Sequence, residues 1–207
     1  MSGETTPLIE QHWFDDDGVV PNNPRLPLVV YRGVLESGPG AAAACETLFA
    51  GNGWSGGWRG GVYPYHHYHS TAHEALGIVA GSAKVRLGGD SGTLIDLHAG
   101  DVVVIPAGVA HKGEAASPDL LIVGAYPGGR GPDMRIPGKG DREQALVNIA
   151  AVPPPATDPG VRQVRAADRA PAHRRPALSA ARSDDESEIT ERAARGFYHG
   201  GRISPLR

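Results

Sequence analysis

Residues 61–81 read GVYPYHHYHSTAHEALGIVAG, and residues 100–115 read GDVVVIPAGVAHKGEA. The first stretch packs His66, His67, His69 and His73 into eight residues, with Glu74 directly after them. Alternate residues of an extended chain share a face, so His67 and His69 point the same way. Glu74 follows a turn at Ser70-Thr71. In the second stretch a strand runs into a Pro-Gly turn and delivers His111. Three imidazoles and one carboxylate are ligand types suited to a first-row divalent metal. A solvated histidine cluster on a surface strand has the same spacing, so the spacing alone leaves both readings open.

Around these stretches the chain reads as short strands. Glu74–Val79, Ala83–Leu87, Thr93–Leu97, Asp101–Ile105 and Leu120–Ala125 are apolar runs of about five residues. Gly81-Ser82, Gly88-Gly89-Asp90 and Ala99-Gly100-Asp101 punctuate them as turns. Even spacing of this kind predicts an antiparallel sandwich or small barrel. Leu28–Tyr31, after the turn-forming PNNPRLP, reads as an edge strand. Residues 39–50, PGAAAACETLFA, read as a helix entered through Ser37 or Gly38 and stopped by Gly51 or Gly53. GWSGGWRGG, residues 53–61, is too glycine-rich to predict a regular element. Asp141–Ala151 reads as a short helix with Asp141 and Gln144 in a capping box.

Composition agrees. Gly and Pro total 47 of 207 residues, about twice the usual share, which excludes a helical bundle. The longest strictly aliphatic run, Val102–Ile105, is far too short to span a bilayer. Cys45 is the single cysteine, so an internal disulfide framework and a cysteine-rich zinc site are excluded. The opening MSGETTPLIEQ lacks the charged-then-apolar pattern of a signal peptide, and the expected location is the cytoplasm. Residues 1–160 carry 10 Lys+Arg against 17 Asp+Glu, and an acidic body of this kind is not expected to bind nucleic acid. Residues 161–207 carry 10 Arg against 6 acids, lose apolar periodicity and read as a disordered tail. The expected organisation is an N-terminal arm, edge strand and helix over 1–52, a barrel over 53–160, and the tail over 161–207.

The wider pattern resembles the two motifs of the cupin superfamily. The first is Gly, five residues, His-x-His, three or four residues, Glu, six residues, Gly; here it falls on Gly61, His67, His69, Glu74 and Gly81. The second is Gly, five residues, Pro-x-Gly, two residues, His, three residues, Asn; here it falls on Gly100, Pro106, Gly108 and His111, with Ala115 where the family has Asn. Nine of the ten positions agree with the correct spacing. FDDDGVVPNNPRLPLVVY, LFAGNGW, YHHYHSTAHE and GAYPGG further resemble the bacterial YjlB-type cupins, from about Phe14 to about Asp158. The resemblance implies an all-β fold, a single double-stranded β-helix (jelly-roll barrel), with a short N-terminal helical segment.

It also implies that His67, His69, Glu74 and His111 turn into the barrel and hold one divalent metal ion, Fe(II) or Mn(II) first, with Ni(II) or Zn(II) as alternatives. The ion plus one carboxylate leaves a net charge of +1, which favours an anionic or chelating small molecule. The implied function is a metal-dependent enzyme of oxygenase or isomerase type; a non-catalytic small-molecule binder or a structural cupin is the alternative. Glu74 argues against thiol dioxygenases, which commonly lack that carboxylate. No catalytic residue beyond the ligands declares itself. Arg59, Tyr65 and Tyr126 are candidate substrate contacts. His66 and His73 should face away from the ligand pair, His98 should be solvated, and His12, His173 and His199 carry no signal. Cys45 reads as a small buried apolar residue. The apolar strand Leu28–Tyr31 and the habit of small cupins imply a homodimer.

Overall fold

A computed structural model of the protein describes residues 8–160. The expectation of a disordered tail, and His173 and His199, lie outside these residues. The elements in chain order are β1 (Ile9–His12), β2 (Leu28–Tyr31), α1 (Ala41–Gly51), β3 (Trp54–Gly60), β4 (Glu74–Ala80), β5 (Ser82–Leu87), β6 (Thr93–His98), β7 (Val102–Ile105), β8 (His111–Ala116), β9 (Leu121–Pro127) and α2 (Arg142–Ala151). The strands form two antiparallel sheets, a larger one ordered β1-β2-β7-β4-β9-β3 and a smaller one ordered β6-β5-β8. This is the antiparallel two-sheet architecture expected from the spacing and the jelly-roll fold implied by the resemblance.

The two sheets differ in a way their sequences explain. β5 alternates, with Ala83, Val85 and Leu87 inward and Lys84 and Arg86 outward. The outward pair bridges across strands, Lys84 to Asp96 at 3.2 Å and Arg86 to Glu114 at 2.9 Å. One face of the small sheet is therefore wet. β2 and β7 are apolar at every position because both faces of the large sheet are covered. Leu28, Val30, Leu76, Val103 and Ile105 face the barrel core with Val85, Leu87 and Leu97. Val29, Ala75, Val102 and Val104 face outward, in a second cluster with Cys45 and Phe49 of α1. Gly77 permits that packing: a Cβ there would lie 2.4 Å from Cys45 Sγ. Cys45 is buried, and burial pushes its thiol up to about 12, as befits a packing residue.

Four local expectations are corrected. GWSGGWRGG is not irregular; it forms β3, paired to β9, with a register shift between Ser55 and Trp58 that absorbs Gly56-Gly57. Cross-strand pairing and burial of Trp54 override the poor strand propensity of glycine. Leu28–Tyr31 is not an edge, because β1, unmarked in the sequence, pairs outside it. The strand β8, begun by His111, also went unread because HKGEAA has no apolar alternation. α1 starts after Gly40 in the left-handed region, with no side-chain cap from Ser37. At α2, Asp141 accepts a hydrogen bond from Gln144 N at 2.9 Å as expected. The Gln144 side chain bonds Asn148 instead of closing the box. Among the described residues no helix is long and apolar enough to cross a membrane.

Candidate metal centre

The histidine-bearing segment approaches the start of β8 and is locked to it. His67 and His111 exchange main-chain bonds, His67 N to His111 O at 3.2 Å and His111 N to His67 O at 2.9 Å. His69 O accepts from Gly108 N at 2.8 Å, which ties the first motif to the Pro-Gly turn of the second. Gly108 sits at φ +94, and a Cβ would lie 2.3 Å from Asn22 O, so the turn accepts glycine alone. Alternation then works as read: His67 and His69 turn inward, while Tyr68 turns to a separate buried cluster with Val20, Ala110 and Ala145.

The structure brings His67, His69, Glu74 and His111 together. All four are buried. One ring nitrogen from each histidine falls within 4.8 Å of the others. Glu74 Oε2 lies 3.3 Å from Nε2 of both His69 and His111. Each imidazole is oriented from behind by a main-chain carbonyl at Nδ1: Tyr65 O for His67 at 3.3 Å, Asp133 O for His69 at 2.5 Å, and Val109 O for His111 at 3.3 Å. A carbonyl only accepts, so Nδ1 carries the proton in all three and the Nε2 lone pairs are directed away from the carbonyls. Burial, then the neighbouring His111, holds His67 neutral by pushing its pKa down to about 3. Burial opposes ionisation of Glu74, but His111 and His69, when charged by a second proton at Nε2, outweigh it and draw its pKa below the ordinary carboxylate range.

Glu74 shows the strongest sign of an unmet ligand. Its Oε1 accepts from Tyr126 O–H at 3.0 Å, and the Tyr126 oxygen accepts from Trp58 Nε1–H at 2.8 Å. Its Oε2 is buried among imidazoles without hydrogen-bond geometry to any of them. A buried, orphaned carboxylate oxygen 3.3 Å from two of three clustered, oriented imidazoles fits a divalent cation.

The remaining predicted residues divide. Tyr126 lines the cavity and holds Glu74. Arg59 also lines it, but its Nε and Nη2 engage Glu46 of α1 at 2.7 and 2.8 Å. Tyr65 does not line the cavity; Tyr63, stacked on it at 5.1 Å between ring centroids, does. Alternation alone would put Tyr65 on the face of Tyr63 and His67, but the chain bends at Pro64-Tyr65, which leaves the Tyr65 ring exposed and its carbonyl on His67. His66 turns away, 3.2 Å from Asp90. His73 also leaves the ligand set but is buried, accepting from Ala107 N at 2.9 Å and donating to Pro153 O at 3.0 Å. His98 is exposed as expected, and Ala115 lies on the exposed end of β8.

The sequence reading missed Asp133. Its carboxylate accepts from Ser70 N and Oγ, Thr71 N and Oγ1, and Arg135 Nε, all within 3.1 Å, while its own carbonyl orients His69. It lies sixty-odd residues from the motif it holds, and no spacing rule marks it. Burial opposes its ionisation, but bonds from Arg135 and Ser70 pull its pKa down to about 2. A depressed pKa stabilises the fold above the ordinary Asp value of 3.8, and the gain is lost as pH falls through about 2. Asp133→Asn should therefore lower stability at pH 5–7 by about 1–2 kcal/mol after allowing for partial solvent screening. The gap to the parent should close between about pH 4 and pH 2. Denaturant melts across that range check it; a gap independent of pH would refute the assignment.

A cavity of about 400 Å³ opens beside the four residues. The chain is similar to known proteins. A family model described as "Cupin domain" matches residues 58–123. The uncharacterized protein YjlB of Bacillus subtilis (strain 168) is 43% identical over 150 residues, covering 72% of this chain and 88% of that one. A conserved double-stranded β-helix protein of unknown role from Klebsiella pneumoniae aligns at 14% identity and TM-score 0.33, over 67% of this chain and 85% of that one. RmlC from Streptococcus suis aligns at 9% identity and TM-score 0.36, over 58% of this chain and 70% of that one. At those scores the two structures add nothing about chemistry.

Proposed function

The chain belongs to the cupin superfamily, in its YjlB-type branch, and from that premise we propose that it is a metal-dependent enzyme acting on a small anionic molecule. The observation that carries the reading is the gathering of three carbonyl-oriented imidazoles within 4.8 Å of one another, with the orphaned Oε2 of Glu74 3.3 Å from two of them. His67, His69, Glu74 and His111 would hold one divalent ion. A hard carboxylate oxygen beside the imidazoles favours Fe(II) or Mn(II) over Ni(II) or Zn(II). Once bound, the ion would supply Lewis acidity for oxygenase- or isomerase-type chemistry.

The protein's own share is positioning. The carbonyls of Tyr65, Asp133 and Val109 fix the imidazoles, and Tyr126 and Trp58 fix Glu74. A purely structural metal would sit in a closed site; the cavity beside these residues favours a working site over a staple. A non-catalytic binder with the same metal is the second reading, supported by the fact that among the described residues no further His or carboxylate lines the cavity as a general base.

Elemental analysis of untagged protein, expressed with iron supplied and purified anaerobically, tests the proposal. One divalent ion per chain is expected; substoichiometric metal of every kind would overturn it. We place the protein in the cytoplasm and propose a homodimer. The covered position of β2 moves the pairing edge to β1, where Leu8 and Ile9 are exposed. Light scattering should give twice the chain mass of 21.6 kDa, and a single-chain mass at micromolar concentration would reject the dimer.

A further inference from the structure

The walls of the cavity say more about its ligand than the metal-binding residues do. Apart from those four, its side-chain lining is Trp58, Val62, Tyr63, Leu76 and Met134, with Tyr126 and Arg59. Among the described residues no Asn, Gln, Ser, Thr, Asp or Lys lines it. The polar atoms that remain are largely spent. The Tyr126 hydroxyl donates to Glu74 and accepts from Trp58. The Arg59 charge is matched by Glu46, and two of its nitrogens are already bonded there. A sugar brings a hydroxyl on nearly every carbon, and each one stripped of water needs a partner. Beyond the Tyr63 hydroxyl and the remaining Arg59 N–H groups, the cavity's side chains offer a sugar few such partners. A flat or branched hydrocarbon, by contrast, gains from the indole, the Tyr63 ring, Val62, Leu76 and Met134.

We propose that the cavity takes a small carboxylate with an aromatic or branched apolar body, and not a polyhydroxylated sugar or sugar phosphate. The apolar body follows from the walls alone. The anionic head rests on the proposed function, through the net positive charge that a divalent ion with one carboxylate would leave.

The test uses a series with a constant head and a growing body: pyruvate, 4-methyl-2-oxopentanoate and phenylpyruvate, with ribose 5-phosphate as the polar control. Each is titrated calorimetrically into full-length protein, both metal-free and after loading with Mn(II). Affinity should rise from pyruvate to phenylpyruvate by at least about tenfold, since several carbons leave water. Ribose 5-phosphate should bind more weakly than phenylpyruvate. Met134→Gln, at a half-exposed residue outside the metal set, should shrink the gain while leaving metal affinity unchanged. A flat series, or tighter binding of ribose 5-phosphate, in both forms of the protein would overturn the inference. Failure to take up Mn(II) would overturn the proposed function instead, and the order of the metal-free titrations would still decide the nature of the walls.

Discussion

Alanine at His67, His69, Glu74 or His111 should abolish the thermal stabilisation that the unaltered protein gains from added Mn(II) or Zn(II). At a metal concentration 100-fold above Kd, binding to the native state alone contributes about 2.7 kcal/mol. For a domain of this size that amounts to a rise of roughly 5–10 °C in Tm. The three histidines bring ring nitrogens within 4.8 Å of one another and Glu74 Oε2 lies 3.3 Å from two of them, so if all four are ligands, losing any one should weaken the metal by more than about 100-fold, beyond the loss typical of supporting residues. The barrel itself should remain folded in all four variants. Its core is Leu28, Val30, Leu76, Ile78, Val85, Leu87, Leu97 and Val103, none of which needs the metal. The backbone bonds between His67 and His111 also survive side-chain truncation. His66→Ala and His98→Ala should keep the full metal-induced shift, because one ring turns towards Asp90 and the other towards solvent. Differential scanning fluorimetry with and without metal reads all six variants. A ligand variant that keeps the shift, or a His66 variant that loses it, would refute the four-residue set.

The two motifs were legible because they combine a backbone rule with a chemical one. Period-two alternation puts His67 and His69 on one side whatever the fold does elsewhere. A glycine at φ +94 followed by His111 marks a turn that no other residue could replace. The strands β4, β5, β6, β7 and β9 were legible because burial writes itself as apolar runs. What escaped the sequence has one physical character. β1, β3 and β8 are strands by virtue of their partners: IEQH, WSGGWRG and HKGEAA lack intrinsic preference and are held by ladders to β2, β9 and β5. Asp133 escaped for the same reason. It acts through a carbonyl and a carboxylate aimed at residues far away in the chain, and neither composition nor spacing records such a contact. Tyr126 was singled out for the cavity, yet its bond to Glu74 depends on β4 and β9 being neighbours, with Ala75 opposite Ala125. Trp58 could join it only because β3 lies on the far side of β9.

That arrangement carries the last prediction. The indole of Trp58 lies directly over the β9 backbone at Gly124, where a Cβ would approach its Cε2 to 2.1 Å. Gly124→Val should therefore evict the indole. The damage would spread along the chain of bonds: the Tyr126 hydroxyl loses its donor, Glu74 Oε1 loses its anchor, and the cavity loses one wall. Overpacking of this severity, combined with a broken buried network, should cost about 3 kcal/mol or more. Tyr126→Phe separates the two effects. It preserves the ring and the packing but removes two hydrogen bonds, so stability should fall by about 2 kcal/mol, less than for Gly124→Val. It also leaves both oxygens of a buried carboxylate without a donor, and metal affinity should fall by about 10- to 100-fold, as for other partners that orient a ligand. Urea melts and competitive metal titrations should thus rank the variants oppositely in kind: Gly124→Val chiefly unstable, Tyr126→Phe chiefly metal-poor. If Tyr126→Phe bound metal like the unaltered protein, the hydroxyl would be a passenger and Glu74 would owe its orientation to the imidazoles alone. If Gly124→Val melted normally, the indole would have another seat, and Trp58 could be removed from the cavity wall altogether.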